Sequence, residues 1–280
     1  MCIWLKRIIL LSDRSMPQAS IFNMDCMIGM ASLEAHSLDC IICDLPYGVL
    51  NKQNPHAKWD TELPLDELWS QYRRLIKPNG AIILFCQGMF TARLMISNPK
   101  MWRYNLIWKK GTRSSGFLNA NRMPLRNHED IAVFYQKLPV YHPQMTVGEK
   151  NHGRNVRGVQ SNNKCYGDFK VVDTVFTNEK YPLSVIDIPK EHDSFYHPTQ
   201  KPVALLEYLI RTYTDEGDTV MDNCMGSGTT GVACMNTGRN FIGYEKEKKY
   251  FDISQERIFS AQKGINTANG KLIQGDLFKP

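Results

Sequence analysis

The stretch TVMDNCMGSGTTG (residues 219–231) joins a short apolar run to a glycine-rich turn and then to a run of residues that can start a helix. TVMD (219–222) reads as a buried strand ending at Asp222. Gly226 and Gly228 permit a tight turn and a close approach of ligand to backbone, and Ser227, Thr229 and Thr230 can cap the helix that follows. A strand, a glycine turn and a helix N-terminus in succession form a common seat for a nucleotide-like group. A phosphate-binding P-loop would carry lysine after its last glycine. Here Thr229-Thr230 stand in that place, which argues against ATP or GTP held by that route. The next strand-like run, FIGYE (241–245), ends at Glu245, about seventeen residues beyond the turn, where a carboxylate can accept from a ribose hydroxyl pair.

On either side of this turn, strand-like and helix-like segments alternate from Ile21 onward, the pattern of an α/β sheet covered on both faces. Residues 38–43 and 81–86 read as buried strands. Between them Leu65, Leu68, Trp69, Tyr72, Leu75 and Ile76 recur at helical spacing, and Lys77-Pro78-Asn79-Gly80 predicts the stop. A helix over 89–96 and strands over 104–109 and 130–136 follow. Residues 138–196 lose the rhythm and read as long, functional loops. Alternation returns with a helix from Pro202 to Tyr213, a helix over 229–236, and another over 248–259. The expected fold class is α/β, a doubly wound Rossmann-like sheet.

The bulk properties agree with a globular chain. It has 280 residues, 42% hydrophobic and 22% charged, enough to bury a full core. The net charge is +6, but between Lys100 and Lys170 thirteen Lys/Arg face four Asp/Glu, so that segment alone carries +9. A polyanionic partner is expected there. Among eight cysteines the only close pair is Cys40 and Cys43. Residues three apart on a strand point to opposite faces, and no second ligand pair exists, so no metal site is expected. The thiols read as reduced core residues of a cytoplasmic protein. Lys6 and Arg7 interrupt the apolar opening MCIWLKRIILLSDRSM, which is too short to span a bilayer and makes a poor signal peptide, and Met16 is a second plausible start.

A second turn carries chemistry. IICDLPYG (41–48) runs from a buried strand into a carboxylate, a proline and an aromatic. Taken together, DLPYG (44–48), HPTQKP (197–202), MDNCMGSGTT (221–230) and FIGYEKEKKYFDISQERI (241–258) resemble the amino-directed DNA methyltransferases, and their order resembles the β group of that family. The similarity runs from about residue 21 to 260. It implies a methyltransferase sheet with a terminal antiparallel strand, S-adenosylmethionine as cofactor, and an inserted target-recognition segment. The implied division is 16–99 for the catalytic half, 100–196 for target recognition, partly continuing the sheet, and 197–263 for the cofactor half.

The resemblance also assigns roles. Asp44 and the backbone carbonyl of Leu45 or Pro46 would accept the two N–H bonds of an exocyclic amine, Pro46 would stiffen the turn, and Tyr47 would stack on a base flipped out of the duplex. Asp222, Cys224, Gly226, Ser227, Gly228, Thr229 and Thr230 would line the cofactor seat, with Glu245 on the ribose. Thr199 and Lys201 would meet the methionine end. Asp25 would reach the adenine pocket or simply cap the following helix. Lys109, Lys110, Arg113, Arg122 and Arg126 would contact phosphates, and Asn119 and Asn121 would read base edges. His152, Arg154, Arg157 and Lys164 would become ordered on DNA. His128-Glu129 reads as a hydrogen-bonded pair at a strand start.

Two departures stand out. Leu45 replaces the family's usual proline, and Asn223-Cys224 replace its Pro-Phe. The expected activity is sequence-specific methylation of adenine N6 in double-stranded DNA, because aspartate at position 44 resembles the adenine enzymes. Cytosine N4 is the alternative, followed by a DNA-binding homologue without catalysis, or by RNA or protein methylation. Whether the chain forms a homodimer, and whether it is solitary, phage-carried or accompanied by a cognate restriction enzyme in a bacterial cell, stay open at this level.

Overall fold

A computed structural model describes residues 16–49, 60–148, 177–190, 200–268 and 271–274. Thr199, His152, Arg154, Arg157, Lys164 and the segment before Met16 lie outside the described residues. The chain divides into two compact units, residues 1–142 with 184–280, and residues 143–183. In the smaller unit β6 (Thr146–Val147) pairs antiparallel with β7 (Glu179–Lys180).

The larger unit is built on an eight-stranded sheet. Its strands are β1 (Ala19–Asn23), β2 (Leu38–Asp44), β3 (Ile76–Cys86), β4 (Trp102–Lys109), β5 (His128–Phe134), β8 (Val185–Asp187), β9 (Thr219–Asp222) and β10 (Asn240–Glu245), in the spatial order β1-β10-β9-β2-β3-β5-β4-β8. The first five in that order are mutually parallel. β5 runs antiparallel to both β3 and β4, while β8 joins β4 in parallel. The antiparallel strand is therefore internal rather than terminal. A hairpin of β11 (Ile265–Ala268) and β12 (Lys271–Gln274) follows the last helix.

Strand alternation sorts the core into two layers. Ile41, Cys43, Ile82, Leu84, Ala132 and Phe134 face one layer, and Cys40, Ile42, Ala81, Ile83, Ile131 and Val133 face the other. Cys40 and Cys43 thus part to opposite faces. Helices α1 (Cys26–Ala31), α2 (Leu65–Leu75) and α3 (Met89–Ser97) cover the first face. Helices α4 (Val203–Tyr213), α5 (Thr229–Asn236) and α6 (Lys248–Gln262) cover the second. In α2, Leu68, Trp69, Tyr72 and Leu75 are buried, and Asp66 and Glu67 at its start and Arg73 and Arg74 at its end complement the helix dipole. Leu68 and Leu75 each contribute about 1.5–3 kcal/mol by leaving water. Arg74 also donates to Met30 O (2.7 Å) and Leu33 O (2.6 Å), which ties α2 to the end of α1.

Two further expectations change. The helix predicted to Ile76 ends at Leu75, and β3 begins at Ile76, because Ile76 pairs with Leu38 ahead of a register shift that leaves Pro78 and Asn79 exposed. Residues 185–187, read as loop, add an edge strand. Only Ile186 of the three is buried, too little to leave a period in the sequence. Among the described residues no helix is long and apolar enough to cross a membrane.

The packing of α1 on β10 requires a missing side chain. A Cβ on Gly29 would lie 2.1 Å from the ring of buried Tyr244. Gly29→Ala is expected to destabilise the protein by about 1–3 kcal/mol in urea unfolding. Ile28→Ala, on the exposed side of the same helix, should change stability by less than about 0.5 kcal/mol.

Candidate active site

β2 and β9 are neighbours whose onward helices leave on opposite faces, so the sheet has a switch point between them, where α/β proteins bind ligands at the carboxyl ends of the strands. Asp44 ends β2, Asp222 ends β9 and Glu245 ends β10. All three line one cavity of about 940 Å³. That volume accommodates two ligands of nucleoside size.

On the β9 and β10 side, the glycine turn is held from several directions. Glu245 accepts Gly226 N–H (2.9 Å) on Oε2 and Glu247 N–H (2.7 Å) on Oε1. Burial raises its pKa above the ordinary glutamate value, against those amide bonds. Asp222 accepts from Thr230 Oγ1 (2.6 Å) and Cys224 N (3.0 Å). Burial lifts its carboxyl to about 6 despite those donors. Arg257 of α6 donates to Ser227 O at 2.6 Å. Gly228 has φ +78°, and a Cβ there would lie 2.7 Å from Ser254 Cβ, so its bare backbone serves contact with α6 and the cavity wall omits it. Asp25 caps α1 through Met27 N–H (2.9 Å) and also lines the cavity. Its two expected roles are compatible.

On the β2 side, the turn after Asp44 is gripped by a residue that sequence reasoning missed. Asp60 accepts from Tyr47 N (2.8 Å) and Gly48 N (3.2 Å) on Oδ1 and from Val49 N (2.8 Å) on Oδ2. Leu45 is 3% exposed and packs into the core layer under α2, which explains an apolar side chain where the family has proline. Tyr47 donates its hydroxyl to Asp44 Oδ1 (2.9 Å), and Phe90 backs its ring at a centroid distance of 4.9 Å.

Lys201, expected at the methionine end, has its ammonium 2.5 Å from Asp44 Oδ2 and 3.3 Å from Glu129 Oε2. Burial lifts the Asp44 carboxyl above its ordinary value, with Lys201 pulling it back and Glu129 pushing it further up. Burial also pushes Glu129 upward, but Lys201 and Lys110 together outweigh it and hold that carboxyl below its ordinary value. Glu129 is therefore hydrogen-bonded to Lys110 through Oε1 and ion-paired with Lys201 through Oε2, and not bonded to His128, whose Nδ1 lies 3.4 Å from Asn127 Oδ1. Lys110, expected on phosphate, is buried with Nζ 2.5 Å from Glu129 Oε1. Lys109 pairs with Asp187 at 2.6 Å and stays partly exposed.

The remaining basic candidates sit on the loop between β4 and β5. Asn119, Asn121, Arg122 and Arg126 are exposed there, Arg113 is partly so, and Arg126 also lines the cavity. A Ser115–Arg126 bridge closes the loop at its base.

The Asn223-Cys224 departure has a local explanation. Tyr72 of α2 donates to Asn223 Oδ1 at 2.5 Å, and both groups are buried. Tyr72→Phe leaves that amide oxygen without its donor and should cost about 1–3 kcal/mol in denaturant unfolding. Restoring stability with Tyr72→Phe/Asn223→Leu would tie the loss to the orphaned amide.

The family model for DNA methylases of the N6/N4 type matches residues 38–256. The chain is 26% identical over 253 residues to the type II methyltransferase M.HpaI of Haemophilus parainfluenzae, covering 87% of this chain and 75% of that one. It is 26% identical over 267 residues to the DNA adenine methyltransferase YhdJ of Escherichia coli K12, covering 85% and 82%. The solved complex of M1.HpyAVI with SAM matches with a TM-score of 0.57 and 25% identity, over 86% of this chain and 99% of that one. Three carboxylate-tipped strands opening on one cavity, within a match that spans most of the chain, make this protein a DNA methyltransferase belonging to the N6/N4 DNA methylase family.

Proposed function

We propose that the protein transfers a methyl group from S-adenosylmethionine to the N6 amine of an adenine flipped out of double-stranded DNA at a specific sequence. The observation that carries this reading is the position of Asp44, which shares one cavity with Asp222, the Gly226 turn and Glu245. The polar lining suits the cofactor: two carboxylates that can accept from hydroxyl and amine groups, a glycine turn that lets a ligand come close to the backbone, and no lysine in the turn for phosphate. Glu245 would take the ribose hydroxyls, Asp222 the amino-acid portion, and Asp25 the far end of the pocket. When bound, S-adenosylmethionine supplies an electrophilic methyl on a sulfonium.

The chain's own residues have four tasks. An aromatic amine is a poor nucleophile because its lone pair is delocalised into the ring. Asp44 and a carbonyl of the following turn accept its two N–H bonds, which favours a pyramidal nitrogen with its lone pair free. Tyr47, backed by Phe90, offers a face that offsets stacking lost on flipping, worth about 1–3 kcal/mol per base. Asp60 holds the turn that carries both. The segment 100–196 would read the target sequence, with Arg113, Arg122 and Arg126 on phosphates and Asn119 and Asn121 at base edges.

Aspartate at position 44 and the similarity to an adenine methyltransferase favour adenine over cytosine N4. The test is transfer of labelled methyl from S-adenosylmethionine to unmethylated genomic DNA, with hydrolysis to nucleosides. N6-methyladenine is expected, with Asp44→Ala lowering its rate by roughly 100-fold or more. Label found only in N4-methylcytosine would contradict the adenine assignment.

A further inference from the structure

We propose that Lys201 and Glu129 are positioning residues for Asp44: the lysine, shared between the two carboxylates, aims and neutralises the aspartate, and the glutamate fixes the lysine. This rests on the reading of Asp44 as the acceptor of the substrate amine. It arises from contacts between parts of the chain far apart in sequence, since Asp44 ends β2, Glu129 lies on β5 and Lys201 precedes α4.

The lysine is enclosed, while the aspartate stays open to the cavity. Lys201 is 8% exposed, with its ammonium 2.5 Å from Asp44 Oδ2, 3.3 Å from Glu129 Oε2 and 5.0 Å from the centre of the Phe85 ring. Lys110 occupies the other oxygen of Glu129 at 2.5 Å. Lys201 and Lys110 are buried while Asp44 and Glu129 are mostly so, and removing Lys201 leaves two like charges facing each other across the cavity. Lys201 on Oδ2 and the Tyr47 hydroxyl on Oδ1 (2.9 Å) pin the plane of the Asp44 carboxylate. Each oxygen keeps a lone pair for an incoming N–H.

Other titratable groups near Asp44 bear on its ionisation. Tyr47 is kept neutral by burial, and the Cys43 and Cys86 thiols of β2 and β3 are pushed up to about 12 by the same cause. Asp222 of β9 adds a like charge above its own titration near 6. Lys190 faces Lys110, Lys201 and Glu129 from beyond β8. Lys201 is the cation in direct contact with the aspartate. Asp44 must be ionised to accept the amine, so activity falls as pH drops through its pKa. Removing the lysine raises that pKa, and removing the Glu129 charge lowers it.

The experiment is the pH profile of kcat, with KM for S-adenosylmethionine and for DNA, in Lys201→Met, Glu129→Gln and Glu129→Asp. Lys201→Met should lower kcat by roughly tenfold or more and move the acid limb upward by about 1 pH unit or more. Glu129→Gln should move the limb in the opposite direction, and Glu129→Asp should return it toward the parent position. An unmoved limb with a raised KM for S-adenosylmethionine in Lys201→Met would overturn the proposal and put the ammonium on the cofactor carboxylate. Limbs displaced in the same direction would also overturn it. If Lys201→Met fails to fold, the near-isosteric Glu129→Gln still reads the limb. Asp44→Asn separates the two claims: retained activity there would remove Asp44 from the reaction, whatever the lysine does.

Discussion

A carboxylate carried out of water at the end of a strand costs several kcal/mol unless a cation and hydrogen-bond donors follow it. Asp44 is held under that constraint, and much of the cavity can be traced from it. Lys201 comes from 157 residues further along the chain to meet it, Glu129 shares the lysine from β5, and Lys110 pairs with Glu129. Tyr47 turns its hydroxyl back onto the same group, and Asp60 anchors the backbone that carries Tyr47. Together these contacts commit β2, β5, the turn after β2 and the approach to α4 to one arrangement.

The two sides of the cavity solve different problems. Around β9 and β10 the carboxylates are bound by backbone amides and by Thr230, fixed donors that hold a glycine turn in one shape. Around β2 the partners are long side chains with charge, so ionisation and orientation are linked. The first arrangement suits a seat for S-adenosylmethionine. The second suits a group that must accept a hydrogen bond from an incoming amine.

Much of the fold could be read from the chain because its elements are local and periodic. α5 occupies 229–236 as expected, and β2, β9 and β10 agree to within a residue at each end. The glycine turn and its capping residues are contiguous, which made that half of the site legible. What escaped were groups defined by distant partners. Asp60 lies in a polar stretch with no pattern around it, and nothing near Glu129 indicates that two lysines converge on it. Lys110 and Lys201 carry charge in sequence, but only the folded sheet reveals that burial spends both inside the cavity. Tyr72 looked like one more apolar position of α2, and its hydroxyl turns out to satisfy Asn223.

The central claim is that one cavity divides its labour, with Glu245 holding the cofactor and Asp44 receiving the base. Titration calorimetry of S-adenosylmethionine against the parent protein, Asp44→Asn and Glu245→Gln tests it most directly. The account predicts that Asp44→Asn binds within about threefold of the parent while Glu245→Gln loses affinity by roughly tenfold or more, the scale of one charged hydrogen bond. Equal losses in both variants, or a loss confined to Asp44→Asn, would contradict it.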